Sequence, residues 1–189
     1  MASGLRATRL TIPTLGIDVP VQRSRVVPTP GGATPGCPPS PPGTTLTVPE
    51  QGVATPEEAL DGLDNAIWIY GHSRWQNVPG TFLALQDIRR GDALSVDGID
   101  RSTGAIRTGL RFTVDSLYIA DIDSGTRLVE ETAAARPVVI LQTSAREDGF
   151  GRQWLLPQAQ VLANAQNIVS GDLADPCKYL LYFAVAHAS

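Results

Sequence analysis

At 189 residues, the chain is long enough to bury one core of ordinary size and short for two domains. Its net charge of −4 argues against nucleic acid as the main partner, because phosphate binding needs clustered Lys and Arg. The hydrophobic fraction of 42% is that of an ordinary globular domain, and no apolar run reaches the length of a membrane span.

The first third of the chain predicts a strand pair followed by a long surface loop. Residues 10–21 alternate between apolar and polar side chains around a tight turn at Pro13 and Gly16, which indicates two short strands. Residues 27–45 are rich in Pro and Gly, so we expect them to form neither a strand ladder nor a helix. Residues 55–60 predict one helical turn with a Thr cap and early acidic residues.

The rest of the chain predicts mostly strands. Buried or half-buried strands are expected at residues 66–70, 93–96, 110–120, 137–141, 153–156 and 178–186. A short helix is expected at residues 82–88, and an acidic surface loop at residues 121–131. Eight or nine short strands with little helix indicate an all-β barrel or sandwich in a single domain, 1–189, whose residues 157–189 form a C-terminal extension.

The two cysteines, Cys37 and Cys177, lie far apart in the sequence. A metal site needs four suitable ligands, and only His72 and His187 could join them, so we expect no metal. The sequence has no phosphate-binding Gly loop, so we also expect no cofactor. In an oxidising compartment, a disulfide between the cysteines would close a very long loop and stabilise the fold by about 5 kcal/mol. Two unpaired buried thiols are the alternative.

Three polar residues stand at the ends of predicted strands. His72 follows the predicted strand at residues 66–70, and Ser144 follows the one at residues 137–141. Arg152 opens the next predicted strand. Strand ends can aim side chains from a rigid sheet into one cleft. A nucleophile, an imidazole that moves a proton and a guanidinium that holds an oxyanion are the parts that acyl transfer needs.

The local motifs around these residues resemble those of the sortases. NAIWIYGH at residues 65–72 is similar to their strand that ends in a Gly-His pair behind an Asn. FLALQDIRRGD at residues 82–92 resembles their F-x-x-L segment with its later G-D, and residues 12–21 resemble their opening hairpin. LQTS at residues 141–144 stands where the family has T-L-x-T-C, and Arg152 follows at a suitable distance. The resemblance covers residues 10–156.

The resemblance implies a sortase-like closed β-barrel of about eight strands with short helices, to which the C-terminal extension adds a strand. In sortases a cysteine thiolate attacks a peptide bond of a sorting signal, and an amine then resolves the thioacyl enzyme. His72 would handle the proton, Ser144 would occupy the nucleophile position and Arg152 would steady the oxyanion. We assign Trp75, Thr143 and Arg146 to substrate binding, with Arg146 as the rival of Arg152.

The resemblance also implies the partners and the location. The partners would be the sorting-signal peptide of a surface protein and an amine acceptor, bound by a monomer on the outside of a bacterial cell. Since the first residues do not form a signal peptide, we expect the targeting or anchoring segment of an exported parent protein to lie outside this chain.

The main departure from the family is Ser144 at the position of the cysteine. A hydroxyl must lose its proton to a well-placed base, and no motif places Asp61, Asp64 or Glu147 to orient His72 for that task. We therefore expect a weak or inactive sortase-type protein. A serine-dependent transpeptidase or hydrolase, a non-catalytic domain that binds a peptide or partner, and an active sortase with an engineered Cys-to-Ser change are the alternatives.

Overall fold

The architecture was taken from a computed structural model, which describes residues 4–33, 35–59, 63, 65–135, 137–146, 155–168 and 173–189. The strands are β1 Leu5–Ile12, β2 Ile17–Ser24, β3 Val26–Thr29, β4 Gly43–Leu46, β5 Val53–Pro56, β6 Ala66–Tyr70, β7 Arg74–Trp75, β8 Val78–Pro79, β9 Ala93–Asp100, β10 Ile106–Asp121, β11 Val138–Ser144, β12 Asn167–Ile168 and β13 Leu180–Ala188. The helices are α1 Ile122–Ala135, α2 Gln158–Asn164 and two 3₁₀ segments, Pro13–Leu15 and Thr81–Asp87.

Eight of these strands close into a barrel, which confirms the predicted fold class. The order around the barrel is β10, β13, β11, β6, β5, β2, β1, β9, and β9 pairs back to β10. Most neighbours are antiparallel, but β11 runs parallel to β6 and β2 runs parallel to β5. Closure pairs both edges of every barrel strand, so the ring leaves no long free edge.

The interior of the barrel is filled by alternate residues of the strands. In β1 the inward residues are Leu5 and Ala7, then Leu10 and Ile12, and a bulge between Ala7 and Arg9 accounts for the change of phase. The 3₁₀ helix Thr81–Asp87 adds the fully buried Phe82 to the same core. Burial of a side chain of that size contributes about 1.5–3 kcal/mol.

A second apolar layer lies on the outer face of the barrel, where α1 covers β11 and β13. Val129 and Ala133 of α1 pack with Ile140 and Phe183. Gly125, one turn earlier, fits because a Cβ there would lie 2.8 Å from the Phe183 ring. Both faces of β11 and β13 are therefore buried, which explains why these strands are continuous apolar runs in the sequence.

Several local predictions were wrong or incomplete. Residues 122–131 of the expected acidic loop belong to α1, because Gly125, Val129 and Ala133, spaced four apart, let the helix pack on the sheet. Residues 55–56 belong to β5 rather than to a helical turn, and Thr55 is buried beside β2. The Pro/Gly-rich loop begins and ends in a two-stranded ribbon, β3 with β4.

The C-terminal region also differs from expectation in position. Leu155 and Leu156 lie in a bend rather than a strand, while residues 153–154 lie outside the described part. The expected last strand is β13, and it sits within the barrel between β10 and β11 rather than at its periphery. None of the helices described is long and apolar enough to cross a bilayer.

Candidate active site

The ends of two neighbouring strands bring His72 and Ser144 to the same side of the barrel. Since β6 and β11 are parallel, with Tyr70 opposite Gln142, their C-terminal ends lie together. Side chains two apart in a strand share a face, so His72 continues the outer face of β6 and Ser144 that of β11. The strand-end motifs found in the sequence thus lie on adjacent strands.

Polar contacts to the backbone hold these two ends together. The Thr143 hydroxyl donates to the Gly71 carbonyl oxygen at 2.9 Å, and the Ser73 hydroxyl donates to the Ser144 carbonyl oxygen at 2.9 Å. Both side chains are buried. Thr143 was predicted to bind substrate, but it faces inward because its neighbours Gln142 and Ser144 take the outer face. Its contact fixes the Gly71–His72 turn.

His72 and Ser144 open into one pocket, which we call the strand-end pocket. Its volume is about 470 Å³, and the β7–β8 hairpin forms one wall with Arg74 and Trp75. Tyr179, from the segment just before β13, also lines the pocket. The predicted residues His72, Ser144 and Trp75 are therefore gathered here, together with residues that we did not predict, among them Arg74 and Tyr179.

The imidazole of His72 is suited to accept a proton. Its ring stacks on Trp75 with a centroid distance of 4.7 Å and an interplanar angle of 31°. Burial of the ring lowers the pKa of His72 below its usual value, so the side chain is neutral at pH 7. Trp75 thus contributes to the pocket as a cover for His72. No Asp or Glu lies in the described lining of the strand-end pocket.

The hydroxyl of Ser144 lies beside that of Tyr179, with their oxygens 3.3 Å apart. That distance is longer than the usual 2.7–2.8 Å of an O–H···O hydrogen bond. Tyr179 was missed because nothing in the sequence shows that the last strand lies beside β11. The pairing of β13 with β11 in the structure shows it, since Leu181 lies opposite Ser144.

The two predicted arginines do not both have a described position. Arg152 lies outside the described residues, as do Asp61, Asp64 and Glu147. Arg146 is 3% exposed and donates to the carbonyl oxygen of Asp175 at 2.6 Å. It is not among the lining residues described for the strand-end pocket, because its guanidinium is directed to the turn that precedes β13.

Cys37 and Cys177 form a disulfide with a Cα–Cα distance of 5.4 Å. The bond ties the loop between β3 and β4 to the turn that carries Tyr179. The same turn is supported by the Asp175 carboxylate, which accepts from the Cys177 backbone N–H at 2.8 Å. Cys177 lies two residues before Tyr179, so the disulfide holds in place the segment that carries Tyr179 into the strand-end pocket. Elsewhere in the described residues, no group of three His, Cys, Asp or Glu side chains could hold a metal ion.

A second cavity, which we call the outer groove, lies beside the strand-end pocket. It has a volume of about 360 Å³ and is enclosed by the β3–β4 ribbon, α1 and the outer face of β6, β11 and β13. Most of its lining is apolar, but the Trp68 Nε1–H and the Gln142 Oε1 atom are buried there without a hydrogen-bond partner among the described residues. Tyr179 lines both cavities, so they meet at that side chain.

Comparison with known proteins finds similarity in structure only. No protein-family model matches the chain, and no curated protein sequence matches it. Solved structures that resemble it are sortases. Sortase C1 from Streptococcus agalactiae has 13% identity and a TM-score of 0.49, over 98% of this chain and 68% of that one. Sortase A from Actinomyces oris has 12% identity and a TM-score of 0.49, over 100% of this chain and 82% of that one. Sortase A from Listeria monocytogenes has 10% identity and a TM-score of 0.46, over 100% of this chain and 88% of that one.

Proposed function

We propose that the chain is a sortase-type domain that binds an extended peptide and presents one of its peptide bonds to the side chain at position 144. The observation that carries the proposal is the convergence of His72 and Ser144, from adjacent parallel strands, into one pocket that meets an apolar groove. The order of the sequence motifs agrees with this function. With serine at position 144, we expect little turnover.

The outer groove fits a peptide rather than a purely apolar ligand. Its walls offer apolar contact from residues such as Leu46 and Phe183, which suits one or two apolar side chains. The Trp68 N–H is a donor and the Gln142 oxygen is an acceptor, and each lacks a partner in the described part of the chain. A peptide unit carries one acceptor and one donor, so a bound peptide satisfies both groups.

The groove also leads to the reacting atoms. Gln142 and Ser144 share the outer face of β11, and Trp68 and His72 share that of β6. A peptide bound along these two strands would run from the outer groove past Tyr179 into the strand-end pocket. Its scissile carbonyl would then lie between the nucleophile and the imidazole, which is the arrangement that acyl transfer needs.

The reaction has two balanced steps. His72 takes the proton of the side chain at position 144, and the freed atom bonds to the carbonyl carbon. The C–N bond then breaks as His72 passes that same proton to the leaving amine. An incoming amine then attacks the acyl enzyme, forms a new amide and returns the proton to the side chain. A thiol enters the first step readily as a thiolate, whereas a hydroxyl needs His72 as an oriented base. The described lining holds no carboxylate for that orientation, which supports weak activity.

A serine-dependent transpeptidase or hydrolase is the second candidate. The observation in its favour is the lowered pKa of His72, which keeps the imidazole neutral and able to accept the Ser144 proton at pH 7. Under either candidate we propose a peptide and an amine as partners and a site of action outside the cytoplasm. A structural disulfide supports that location, because such bonds persist in oxidising compartments.

Selection of a random peptide library on the immobilised wild-type protein tests the proposal. We expect a subset of peptides to be retained intact. Thr126→Trp, on the α1 wall of the outer groove, should reduce their retention by about tenfold or more, since a lost apolar contact of this size costs about 1–3 kcal/mol. Thr108→Trp, on an exposed part of β10, is the matched control and should retain them.

The outcomes separate the candidates. If no peptide is retained above blank resin, or if Thr126→Trp retains the same set as Thr108→Trp, the peptide-binding proposal is wrong. If the wild type cleaves retained peptides rapidly and Ser144→Ala abolishes the cleavage, the serine-dependent enzyme is the correct function.

A further inference from the structure

The hydroxyl of Tyr179 contacts Ser144 Oγ at 3.3 Å, and the surrounding structure fixes it there. The turn that precedes it is held by the disulfide of Cys177 and by the Arg146 guanidinium on the Asp175 carbonyl oxygen. On its other side, the Ala145 backbone N–H donates to the Leu180 carbonyl oxygen at 2.9 Å. Tyr179 is thus held between a cross-linked turn and the start of a barrel strand.

The direction of the hydrogen bond between the two hydroxyls decides what Tyr179 can do. If the Tyr179 hydroxyl donates, the proton of the side chain at position 144 stays available for His72, and the atom at position 144 receives a hydrogen bond. As that atom loses its proton and becomes negative, this bond becomes charge-assisted and strengthens. Tyr179 would then favour the ionised nucleophile over its neutral form.

The spacing of the two groups favours a sulfur atom at position 144. The 3.3 Å separation is long for two oxygens, and a thiolate is larger and lies farther from its Cβ. A cysteine at this position would therefore reach Tyr179 without any movement of the backbone. The contact lies where the two cavities meet, so the donor faces the path of the peptide as well.

We propose that Tyr179 is a catalytic residue of the strand-end pocket, whose hydroxyl donates a hydrogen bond to the nucleophilic atom at position 144 and stabilises its anion. The proposal deepens the proposed function and rests on it for the identity of the nucleophile. In chemical terms Tyr179 supplies a neutral donor, whereas the sequence predicted a cation from Arg152. The two residues would act on different atoms, because an oxyanion forms on the substrate and the thiolate or alkoxide on the protein.

Alkylation of Ser144→Cys by iodoacetamide as a function of pH tests the proposal without any peptide. Both native cysteines are in the disulfide, so the introduced thiol is the single free one. Three proteins are compared: the Ser144→Cys variant alone, the same variant that also carries Tyr179→Phe, and the same variant that also carries Tyr182→Phe. The Tyr182 hydroxyl is buried in the barrel core, which makes its removal the matched control.

We expect Tyr179→Phe to raise the midpoint of the alkylation profile by about one pH unit, the usual effect of one hydrogen bond to a charged group. Tyr182→Phe should leave the midpoint unchanged. The rate at high pH, where every thiol is ionised, should be alike in all three proteins and shows that access is unaltered. Equal midpoints for the Tyr179→Phe and Tyr182→Phe proteins would overturn the role of Tyr179, whether or not the protein binds peptides.

Discussion

Ser144→Cys is expected to cleave the peptides retained by the wild type at least about 100-fold faster than the wild type does. A serine in this pocket must give up its proton during the attack, and the described lining has no carboxylate to orient His72 as a base. A thiol beside Tyr179 and His72 is partly ionised before the attack, so its reaction needs no base in that step. The measurement is the rate of cleavage of quenched peptides with hydroxylamine as the acceptor amine.

The controls for this prediction are Ser144→Ala and the yield of hydroxamate. Ser144→Ala keeps the groove but lacks a nucleophile, so it should bind the same peptides and cleave none. Formation of the hydroxamate shows that an acyl enzyme was resolved by an amine rather than by water. If Ser144→Cys is as inert as Ser144→Ala while both bind peptide, the strand-end pocket does not support acyl transfer and the chain is a binding domain.

Removal of the disulfide is expected to cost about 5 kcal/mol of unfolding free energy, which corresponds to a fall in Tm of roughly 10–20 °C. The bond joins residues that are 140 positions apart, so it restricts a very large loop in the unfolded chain. The change is Cys37→Ser together with Cys177→Ser, and the measurement is thermal unfolding followed by circular dichroism. The total stability of a domain is only about 5–15 kcal/mol, so the effect is large.

The wild type treated with a reductant is the control for this experiment, because it loses the bond without a change of sequence. Its Tm should equal that of the double variant. Mass spectrometry of the untreated protein should show no thiol that is alkylated under denaturing conditions. Equal Tm values for the oxidised wild type and the double variant would show that the two cysteines do not cross-link the folded chain.

The barrel strands could be predicted because their apolar residues repeat with a period of two. In β10 the inward residues are Phe112 and Val114, then Leu117 and Ile119. The sequence shows the same shift of phase between Val114 and Leu117, and the structure explains it by a bulge in the pairing with β13. The strand β6 and its following Gly-His pair were equally clear, since a short apolar run ends at a glycine.

The missed elements are those whose signals depend on a distant partner. Helix α1 has an acidic surface and buries small residues such as Ala133 against Phe183. The apolar pattern that would indicate an amphipathic helix is therefore weak in the sequence. Thr55 carries the polar side chain of a helix cap, but parallel pairing with β2 makes it a buried strand residue. Tertiary pairing in each case outweighs the local preference.

The candidate site was predictable only in part for the same reason. His72 and Ser144 each end a strand that the sequence marks, and the parallel pairing of β6 with β11 makes them neighbours. Tyr179 comes from the segment just before β13, the strand that is last in the sequence but lies next to β11 in space. No pattern within residues 173–189 indicates that placement, so the residue that contacts Ser144 had to be found in the fold.

The pKa of His72, measured by NMR in Ser144→Asp and in Ser144→Asn, tests most directly whether His72 and the side chain at position 144 share one pocket. A carboxylate within about 4–6 Å raises a histidine pKa by about one unit or more, and the amide of Asn is the uncharged control. His187, the second histidine of the chain, serves as an internal reference. It lies opposite Val138 in the register, about 20 Å along β11 from position 144.

We predict that the His72 pKa is below its usual value in the Asn variant and at least about one unit higher in the Asp variant, with His187 unchanged. The same His72 pKa in both variants would place the imidazole beyond reach of position 144 and rule out a shared pocket.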